Sequence, residues 1–468
     1  MATSDLATAP AVVLAEMIRT RQASPVEVTE AVLARVAACE PRLNAFAALD
    51  ADRARAAAKG AEAAVMRGDP LGPLHGVPVT IKDMQAVAGL PTRRGSRLSD
   101  PAPAPADAAL VARLRGAGAV ILGKTTCTEH GWTAVSDSPL TGATHNPWVH
   151  GMTAGGSSSG AAALCGAGCG PLHLGTDGAG SIRLPAHFCG AVGFKPTYGR
   201  VPYAPVPNNG GLSHAGPIAR HVEDAALMFA VMAGPHAADH TTLPDRFGPE
   251  VPPGGLRGLR IAYSPDLGHA RVDAEVASLV AAAVHALEGA GATVEQVTPP
   301  WGPAGPALER DIWGIGMRSY LAPDAAAAAQ MDPGLVACTE AYRGLTFMEA
   351  HAAQGRRFAY AAAVNGWFEA AGFDLLATPA ASVAAFPVGL QRPPHWDPHD
   401  WDWLVWAEFS YPFNLSHGPA ISLPCGLTPA GLPVGLQLAG PRLADGLVLR
   451  AAAGFLEAMP FAPGLATP

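Results

Sequence analysis

The chain has 468 residues, of which 49% are hydrophobic and 15% are charged, and its formal net charge is −8. This composition is typical of a globular protein with a large core and excludes an intrinsically disordered chain. The 31 Lys and Arg residues form no basic cluster long enough to follow a phosphate backbone, so we expect no nucleic-acid ligand.

Cysteine usage and apolar patterning indicate the compartment. The seven cysteines are scattered and form no CxxC pair, which favours free thiols in a reducing environment. No basic segment precedes an apolar stretch near the first residue, so we expect no signal peptide. The most apolar window, residues 161–175, is interrupted by glycines and by Pro171, which makes it too broken to span a bilayer. We therefore expect a soluble, cytoplasmic protein without a membrane partner.

Short-range patterns predict helices and strands in the first part of the chain. Ser24-Pro25-Val26-Glu27 is a capping box with proline at the first helical position, and it predicts the start of an amphipathic helix. The next predicted elements are a helix at 51–66, a strand at 77–81 that ends at Lys82, a helix at 108–116, a strand at 119–122 and a strand at 171–176.

The same alternation returns in the second half. The predicted elements there are a strand at 259–263, a helix at 272–287, a strand from 293, and strands at 420–424 and 434–438. No internal repeat or low-complexity linker divides the chain. The sequence therefore predicts an α/β fold, a single large domain with a mixed central β-sheet that helices cover on both faces.

Within this single domain, 1–468, four segments are predicted to differ in role. They are an N-terminal helical layer at 1–66, a catalytic core segment at 67–235, a variable, substrate-shaping region at 236–411 that includes an α/β unit at 258–297, and C-terminal core strands with a helix at 412–468.

Chemistry is suggested first by Lys82, at the end of the apolar strand predicted at 77–81. Burial removes solvation from an amine and lowers its pKa, so such a lysine can serve as a general base near neutral pH. A surface lysine that ends a strand is the more common arrangement, and this segment alone does not decide between the two.

Two glycine-rich segments carry hydroxyl groups. Ser157, Ser158 and Ser159 stand between glycines at a predicted helix start, where a helix cap is an equally good explanation. Ser181 follows the strand at 171–176 and a turn rich in glycine. Successive backbone N–H groups in such a turn form a nest that can bind an oxyanion, or the turn can be purely structural.

Together these segments resemble the defining stretch of the amidase signature family. The resemblance rests on GGSSSG at 155–160, on GTDGAGSIRLPAHFCGAVGFKPT at 175–197 and on VPVTIKD at 77–83. The 24-residue separation of Ser157 and Ser181 is also that of the family's two catalytic serines. Further similar segments at 107–129, 211–226, 412–426 and 431–442 extend the resemblance to nearly the whole chain.

The resemblance implies a role for each matching residue. Ser181 would be the nucleophile, and Ser157, whose preceding peptide is usually cis in the family, would relay protons to Lys82. Backbone N–H groups of Gly178, Ala179, Gly180 and Ser181 would bind the oxyanion. The supporting residues would be Ser158, Thr176, Asp177 and Arg183, and Gly131 would lie in the pocket wall.

Two positions depart from the common family pattern. Ala179 and Ser159 stand where glycine is frequent, so the backbone at both positions must tolerate a Cβ atom. Neither residue is a proposed catalytic side chain, and the expected function is hydrolysis of a carbon–nitrogen acyl bond.

Three alternatives are considered. An α/β-hydrolase-type esterase would use Ser158 in the GxSxG run at 156–160, but that motif needs a preceding strand, which the sequence does not predict. A metal hydrolase would use one of two histidine pairs, which lie in loop-like sequence and are His236 with His240 and His395 with His399. The third is a glutaminase (A) subunit of a tRNA-dependent amidotransferase, whose usual Ser-Leu-Asp-Gln run is absent from 211–217.

The expected ligand is a small-molecule amide or carbamate, with ester cleavage and urethanase activity also expected from the chemistry. No cofactor and no metal are implied, and homodimers are common in the family. The regions predicted to shape the acyl pocket are 301–348 and 390–411. The second region holds Trp396, Trp401, Trp403 and Trp406, which could either wall an aryl pocket or pack a loop onto the core.

Overall fold

A mixed sheet of eleven strands runs through the part of the chain that the computed structural model describes, residues 3–207, 209, 211–248, 250–399, 401, 403–461, 465 and 466. The strands, in their order across the sheet, are β1 (Phe46–Leu49), β3 (Val120–Thr125), β2 (Pro78–Lys82), β6 (Leu172–Asp177), β8 (His214–Ala219), β7 (Val192–Lys195), β12 (Ala420–Leu427), β13 (Pro433–Ala439), β11 (Leu375–Pro379), β9 (Arg260–Tyr263) and β10 (Thr293–Gln296). A separate two-stranded ribbon consists of β4 (Asp137–Ser138) and β5 (Gly142–Ala143).

Helices flank this sheet along its whole length. The α-helices are α1 (Thr3–Thr8), α2 (Ala11–Arg19), α3 (Pro25–Leu43), α4 (Ala51–Arg67), α5 (Ala109–Gly116), α6 (Ser159–Gly166), α7 (Arg183–Cys189), α8 (Val222–Met232), α9 (Ala274–Gly289), α10 (Gly305–Met317), α11 (Ala325–Ala328), α12 (Pro333–Ala341), α13 (Phe347–Ala371), α14 (Pro412–Leu415) and α15 (Asp445–Ala458). Short 3-10 turns occur at Glu129–Gly131, Gly302–Ala304 and Arg318–Tyr320. Among the described residues, no helix combines the length and the apolarity that a membrane crossing requires.

The core consists of two clusters of buried apolar side chains. In β11, Leu375 and Ala377 belong to the first cluster, whereas Leu376 between them belongs to the second. Successive side chains of a strand point to opposite faces, so the two clusters lie on opposite sides of β11. The prediction of a single α/β domain with a mixed central sheet and flanking helices is therefore confirmed.

Local signals in the sequence account for much of this architecture. The capping box of α3 is present, with Ser24 Oγ accepting from Val26 N at 2.9 Å and Glu27 Oε2 accepting from Ser24 N at 2.9 Å. Two strands extend three residues beyond their predicted ends, since β12 continues to Leu427 and β3 continues through Lys124 to Thr125. Lys124 is fully buried there, and its ammonium group is paired with the Asp83 carboxylate at 2.7 Å, which offsets the cost of burying its charge.

The sheet topology brings the candidate residues to one edge. Strands β2 and β6 are parallel neighbours, with Val79 opposite Leu172 and Ile81 opposite Leu174. Their carboxyl ends, which carry Lys82 and Asp177, therefore meet at the same edge of the sheet. Open α/β sheets commonly place their ligand sites at the carboxyl ends of such strands.

Candidate active site

Lys82 is completely buried at the carboxyl end of β2. Its Nζ atom donates to Ser157 Oγ at 2.8 Å and to the carbonyl oxygen of Thr176 at 3.2 Å. Burial lowers the pKa of Lys82 to about 8, against the opposing effects of Cys127 and Asp177. A substantial fraction of this amine is thus neutral near physiological pH, as a general base requires.

Ser157 lies just before helix α6, and the Gly156–Ser157 peptide bond is cis. Gly156 has no room for a side chain, since a Cβ atom there would lie 2.0 Å from the carbonyl oxygen of Val135. The Ser157 hydroxyl faces Gly131, where a Cβ atom would lie 3.1 Å from Ser157 Oγ. Glycine at 131 therefore leaves the space in front of the Ser157 hydroxyl open.

The turn after β6 is organised by the buried carboxylate of Asp177. This carboxylate accepts from the amides of Gly180 at 2.8 Å and Ile182 at 3.1 Å, and it forms an ion pair with Arg183 at 2.9 Å. Burial alone would raise the pKa of Asp177, but the charge and hydrogen bonds of Arg183 outweigh that effect and hold the pKa well below its ordinary range. Asp177 is therefore ionised and fixes the backbone around Ser181.

Arg183 is itself held on the far side of the turn. Its guanidinium donates to Gln437 Oε1 at 2.8 Å, to Asn414 Oδ1 at 2.6 Å and to the carbonyl oxygen of Ser410 at 2.7 Å. All of these partners are buried, so the arginine joins the turn to the C-terminal strands and to helix α14.

The amides in this turn are not equivalent. Gly180 N is already engaged with Asp177, whereas the amides of Gly178, Ala179 and Ser181 make no hydrogen bond in the described part of the chain. The expectation that Gly180 also donates to an oxyanion therefore does not fit this conformation, because its N–H points to the carboxylate. Ala179 has no positive φ angle and tolerates its Cβ, which is buried.

The other supporting positions lie behind these residues. Ser158 is fully buried, and its Oγ donates to the carbonyl oxygen of Thr176 at 3.2 Å and accepts from the amide of Thr176 at 3.3 Å. Ser159 begins helix α6, and its buried hydroxyl has no partner within the described residues. A strand does not precede Ser158 directly, so the local structure lacks the strand–turn–helix elbow that a GxSxG nucleophile requires.

A cavity of about 790 Å³ opens onto both remaining serines. Ser157 and Ser181, which are 2% and 6% exposed, contribute to its wall together with Gly131, Thr176 and Gly178. No direct hydrogen bond between the two serine hydroxyls occurs among the described residues. Lys82 contacts Ser157 from behind the wall, so an amine, two hydroxyls and the unpaired amides of Gly178 and Ser181 lie around one space.

Aromatic and apolar side chains from several segments complete the cavity. Trp313, Met317 and Tyr320 line it from the segment around the end of α10, and Tyr203 and Met84 line it from other loops. Residues 102–108 and 203–207 also form its wall, although nothing in the sequence indicated these two stretches. Their contribution comes from tertiary packing of irregular loops, for which the sequence carries no periodic signal.

The four tryptophans of the 390–411 region are buried and do not line this cavity. Trp403 packs edge-on against Trp132 and Trp313, with ring centroids 6.3 Å and 5.5 Å away. The packing explanation for the cluster is therefore correct, and its effect on the cavity is indirect, through support of Trp313.

The histidine pairs considered as metal ligands lie away from the cavity. The ring of His395 is hydrogen-bonded to the Asp273 carboxylate at 2.9 Å, and His236 accepts from the amide of Ala238. Within the described ranges, no cluster of three or more His, Cys, Asp or Glu side chains has an arrangement that could hold a metal ion.

Known proteins are similar to this chain over most of its length. The Amidase family model matches residues 27–449. An acylamidase of Rhodococcus erythropolis is 38% identical over 462 residues, covering 96% of this chain and 95% of that protein. The A subunit of a glutamyl-tRNA(Gln) amidotransferase from Anaeromyxobacter dehalogenans is 38% identical over 470 residues, covering 92% of each chain.

The fold is also that of solved structures. A bacterial aryl acylamidase of the amidase signature family superimposes with a TM-score of 0.90 at 28% identity, covering 98% of this chain and 97% of that one. The predicted family resemblance is thereby confirmed at the level of sequence and of fold. The chain belongs to the amidase signature family and is a hydrolase of amide carbon–nitrogen bonds.

Proposed function

We propose that this enzyme cleaves its substrate through an acyl-enzyme on Ser181, with Ser157 and Lys82 as the proton relay. The observation that carries the proposal is the 2.8 Å contact from Lys82 Nζ to Ser157 Oγ beside a cavity that both serines share. A buried amine of lowered pKa is the only ionisable group in this contact, so it takes the role of the base.

In the proposed mechanism, each proton that Lys82 accepts is later returned through Ser157. Ser181 Oγ attacks the carbonyl carbon as its proton passes to Ser157 Oγ and the Ser157 proton passes to neutral Lys82. The amides of Gly178, Ala179 and Ser181 bind the resulting oxyanion. When the C–N bond breaks, the proton returns from Lys82 through Ser157 to the leaving nitrogen. Water then attacks the ester of Ser181 by the same relay and releases the acid.

Aryl amides are the proposed substrates, with carbamates and esters cleaved by the same attack. The cavity wall includes Trp313, Tyr203 and a stacked pair of His130 and Tyr320 with ring centroids 4.0 Å apart, which suits a flat aromatic group. The similarity to an acylamidase and to an aryl acylamidase supports the same class. Esters need less help at the leaving group and should react at least as readily.

We further propose that the protein acts alone, although subunits of glutamyl-tRNA(Gln) amidotransferases are similar to it. The segment 211–217 reads Gly-Leu-Ser-His-Ala-Gly-Pro, without the Ser-Leu-Asp-Gln run usual in those proteins. His214 of this segment is buried, and its ring is hydrogen-bonded to the carbonyl oxygen of Leu212 at 2.7 Å. Glutamine hydrolysis that depends on added partner proteins would overturn this part of the proposal.

The test is a chromogenic panel of aliphatic amides, anilides, carbamates and esters with the wild type, Ser181→Ala and Ser158→Ala. We expect Ser181→Ala to lose turnover with an unchanged melting temperature and Ser158→Ala to keep most of its activity. A slowly deacylating ester should add its acyl mass to the Ser181 peptide. Full activity of Ser181→Ala, or an acyl group on Ser158, would contradict the proposal.

A further inference from the structure

Arg94 places a positive charge in the wall of the cavity that holds Ser157 and Ser181. Its side chain is exposed, and its guanidinium has neither a hydrogen-bond acceptor nor an ion-pair partner within the part of the chain that the structure describes. Nearby arginines differ in this respect, since Arg93 donates to the carbonyl oxygen of Arg97 at 3.3 Å and Arg115 pairs with Asp107 at 2.6 Å.

The backbone of Arg94 is fixed close to the reacting groups. Its amide donates to Asp83 Oδ2 at 2.9 Å, and its carbonyl oxygen accepts from the amide of His130 at 2.8 Å. His130 is followed by Gly131, the residue that lies against Ser157 Oγ. A backbone hydrogen bond therefore joins Arg94 to the His130–Gly131 segment, which forms the cavity wall beside Ser157.

The other charged groups of the cavity do not neutralise this arginine. Asp107 is paired with Arg115, and the Asp100 carboxylate accepts from the amide of Ala102 at 2.8 Å. Neither carboxylate lies within ion-pair distance of Arg94. Burial, together with the charge of Arg94, lowers the pKa of His130 to about 4, so this imidazole is neutral at physiological pH. The cavity thus presents one guanidinium without an anionic partner among the described residues.

We infer that Arg94 binds a carboxylate of the substrate, so that the preferred substrates are amides that carry an anionic group besides the scissile bond. Guanidinium groups bind carboxylates through two parallel charge-assisted hydrogen bonds, and Arg94 has its donors available for both. This inference rests on the proposed hydrolytic function and adds to it the charge of the substrate. The carboxylate can belong to the acyl part or to the amine that leaves.

The experiment compares matched substrate pairs with and without the carboxylate. Acetanilide and 4-acetamidobenzoate test the leaving side, and butyranilide and glutaranilic acid test the acyl side. In Arg94→Gln we expect the kcat/KM ratio of charged to neutral substrate to fall roughly 10- to 100-fold for one pair, the loss typical of a charge-assisted pair. Arg94→Lys should restore part of the ratio, because it keeps the charge without the planar fork.

Arg97→Gln is the matched control, because Arg97 is exposed on the same loop but does not line the cavity. It should keep the wild-type ratio for both pairs. If Arg94→Gln keeps that ratio as well, or if Arg97→Gln lowers it equally, the inference is wrong.

A binding measurement separates this inference from the catalytic proposal. Calorimetry on Ser181→Ala should show tighter binding of one charged compound than of its neutral partner, and Ser181→Ala/Arg94→Gln should lose that difference. Equal binding of the charged and neutral compounds by Ser181→Ala would overturn the carboxylate site whatever the nucleophile is. Full turnover by Ser181→Ala would instead overturn the catalytic proposal alone.

Discussion

The side-chain nitrogen of Lys82 lies 2.8 Å from Ser157 Oγ, and both side chains are almost completely shielded from solvent. The Ser157 hydroxyl therefore lies between this amine and the cavity. Because burial favours the uncharged form of an amine, the same shielding lowers the pKa of Lys82 and raises the fraction that can accept a proton.

The rate should depend on pH through Lys82. The reactive form is the neutral amine, which becomes the major form only as pH rises above its pKa of about 8. For an uncharged anilide, kcat/KM should rise about tenfold per pH unit below that value and level off above it. Stopped-assay rates from pH 5.5 to 9.5 check this. A profile that is flat between pH 6 and 9, or that falls as pH rises, would rule out Lys82 as the titrating base.

Replacement of the base should be far more costly than replacement of another buried lysine. Lys82→Met fills the same apolar space but removes the proton acceptor, and kcat should fall roughly 100- to 10,000-fold. The residual rate should no longer titrate near pH 8.

Lys195→Met is the control for this experiment, because Lys195 is equally buried but donates to the carbonyl oxygens of Pro196 and Gly418 and, among the described residues, makes no hydrogen bond to Ser157 or Ser181. It should lower the melting temperature and leave most of kcat. Comparable kcat losses in the two variants would indicate a general packing effect and would refute the relay.

Asp177→Asn should destabilise the protein as well as inactivate it. The substitution leaves the buried guanidinium of Arg183 without its counter-ion, which costs about 3–5 kcal/mol of unfolding free energy. It also weakens the acceptor for the amides of Gly180 and Ile182. Urea unfolding at pH 7 measures the loss, and a change below about 1 kcal/mol would contradict a strong ion pair.

The pH dependence of stability follows from the same pair. The native pKa of Asp177 is depressed below its unfolded value of roughly 3.9, so its stabilising contribution is present above that pH and is lost as pH falls further. The wild type should therefore lose stability more steeply than Asp177→Asn on acidification below about pH 4.

The sequence predicts the parts of this site that depend on local strand and turn patterns, but not the parts that depend on contacts formed only in the folded chain. Lys82 ends strand β2 and Ser181 lies on the short turn after β6, so the order of strands and turns in the sequence indicates that both residues lie near strand ends. The orientation of individual amides could not, since only the folded turn shows that Asp177 engages Gly180. The wall residues at 102–108 could not be predicted either, because irregular loops carry no periodicity that says what they face.

The tryptophans show a related limit. Their apolar character predicts burial, which all four have, but not whether the surface that covers them is a ligand or another side chain. Trp403 covers Trp313, which in turn faces the cavity, and this arrangement depends on the packing of distant segments. Hydrophobic character alone therefore does not distinguish tryptophans that line a ligand pocket from tryptophans that pack a loop onto the core.

Gly131→Ala should reduce catalysis more than its backbone strain explains. Its φ is +76°, which disfavours any side chain, and the new Cβ would lie 3.1 Å from Ser157 Oγ. Gly431→Ala is a matched control, because φ is +77° there and a Cβ would meet nothing within 4 Å. The two variants should lose similar melting temperature, of the order expected for about 1 kcal/mol, since the strain is the same.

The difference between these glycine variants should be in turnover. A methyl group against the Ser157 hydroxyl pushes it away from Lys82 or narrows the path to Ser181, so kcat of Gly131→Ala should fall at least about tenfold, as expected for displaced reacting groups. Gly431→Ala should remain within about twofold of the wild type because it is remote from the cavity. Equal kcat values for the two variants would mean that the Ser157 hydroxyl does not need the space that Gly131 leaves, which is incompatible with its role as the proton carrier.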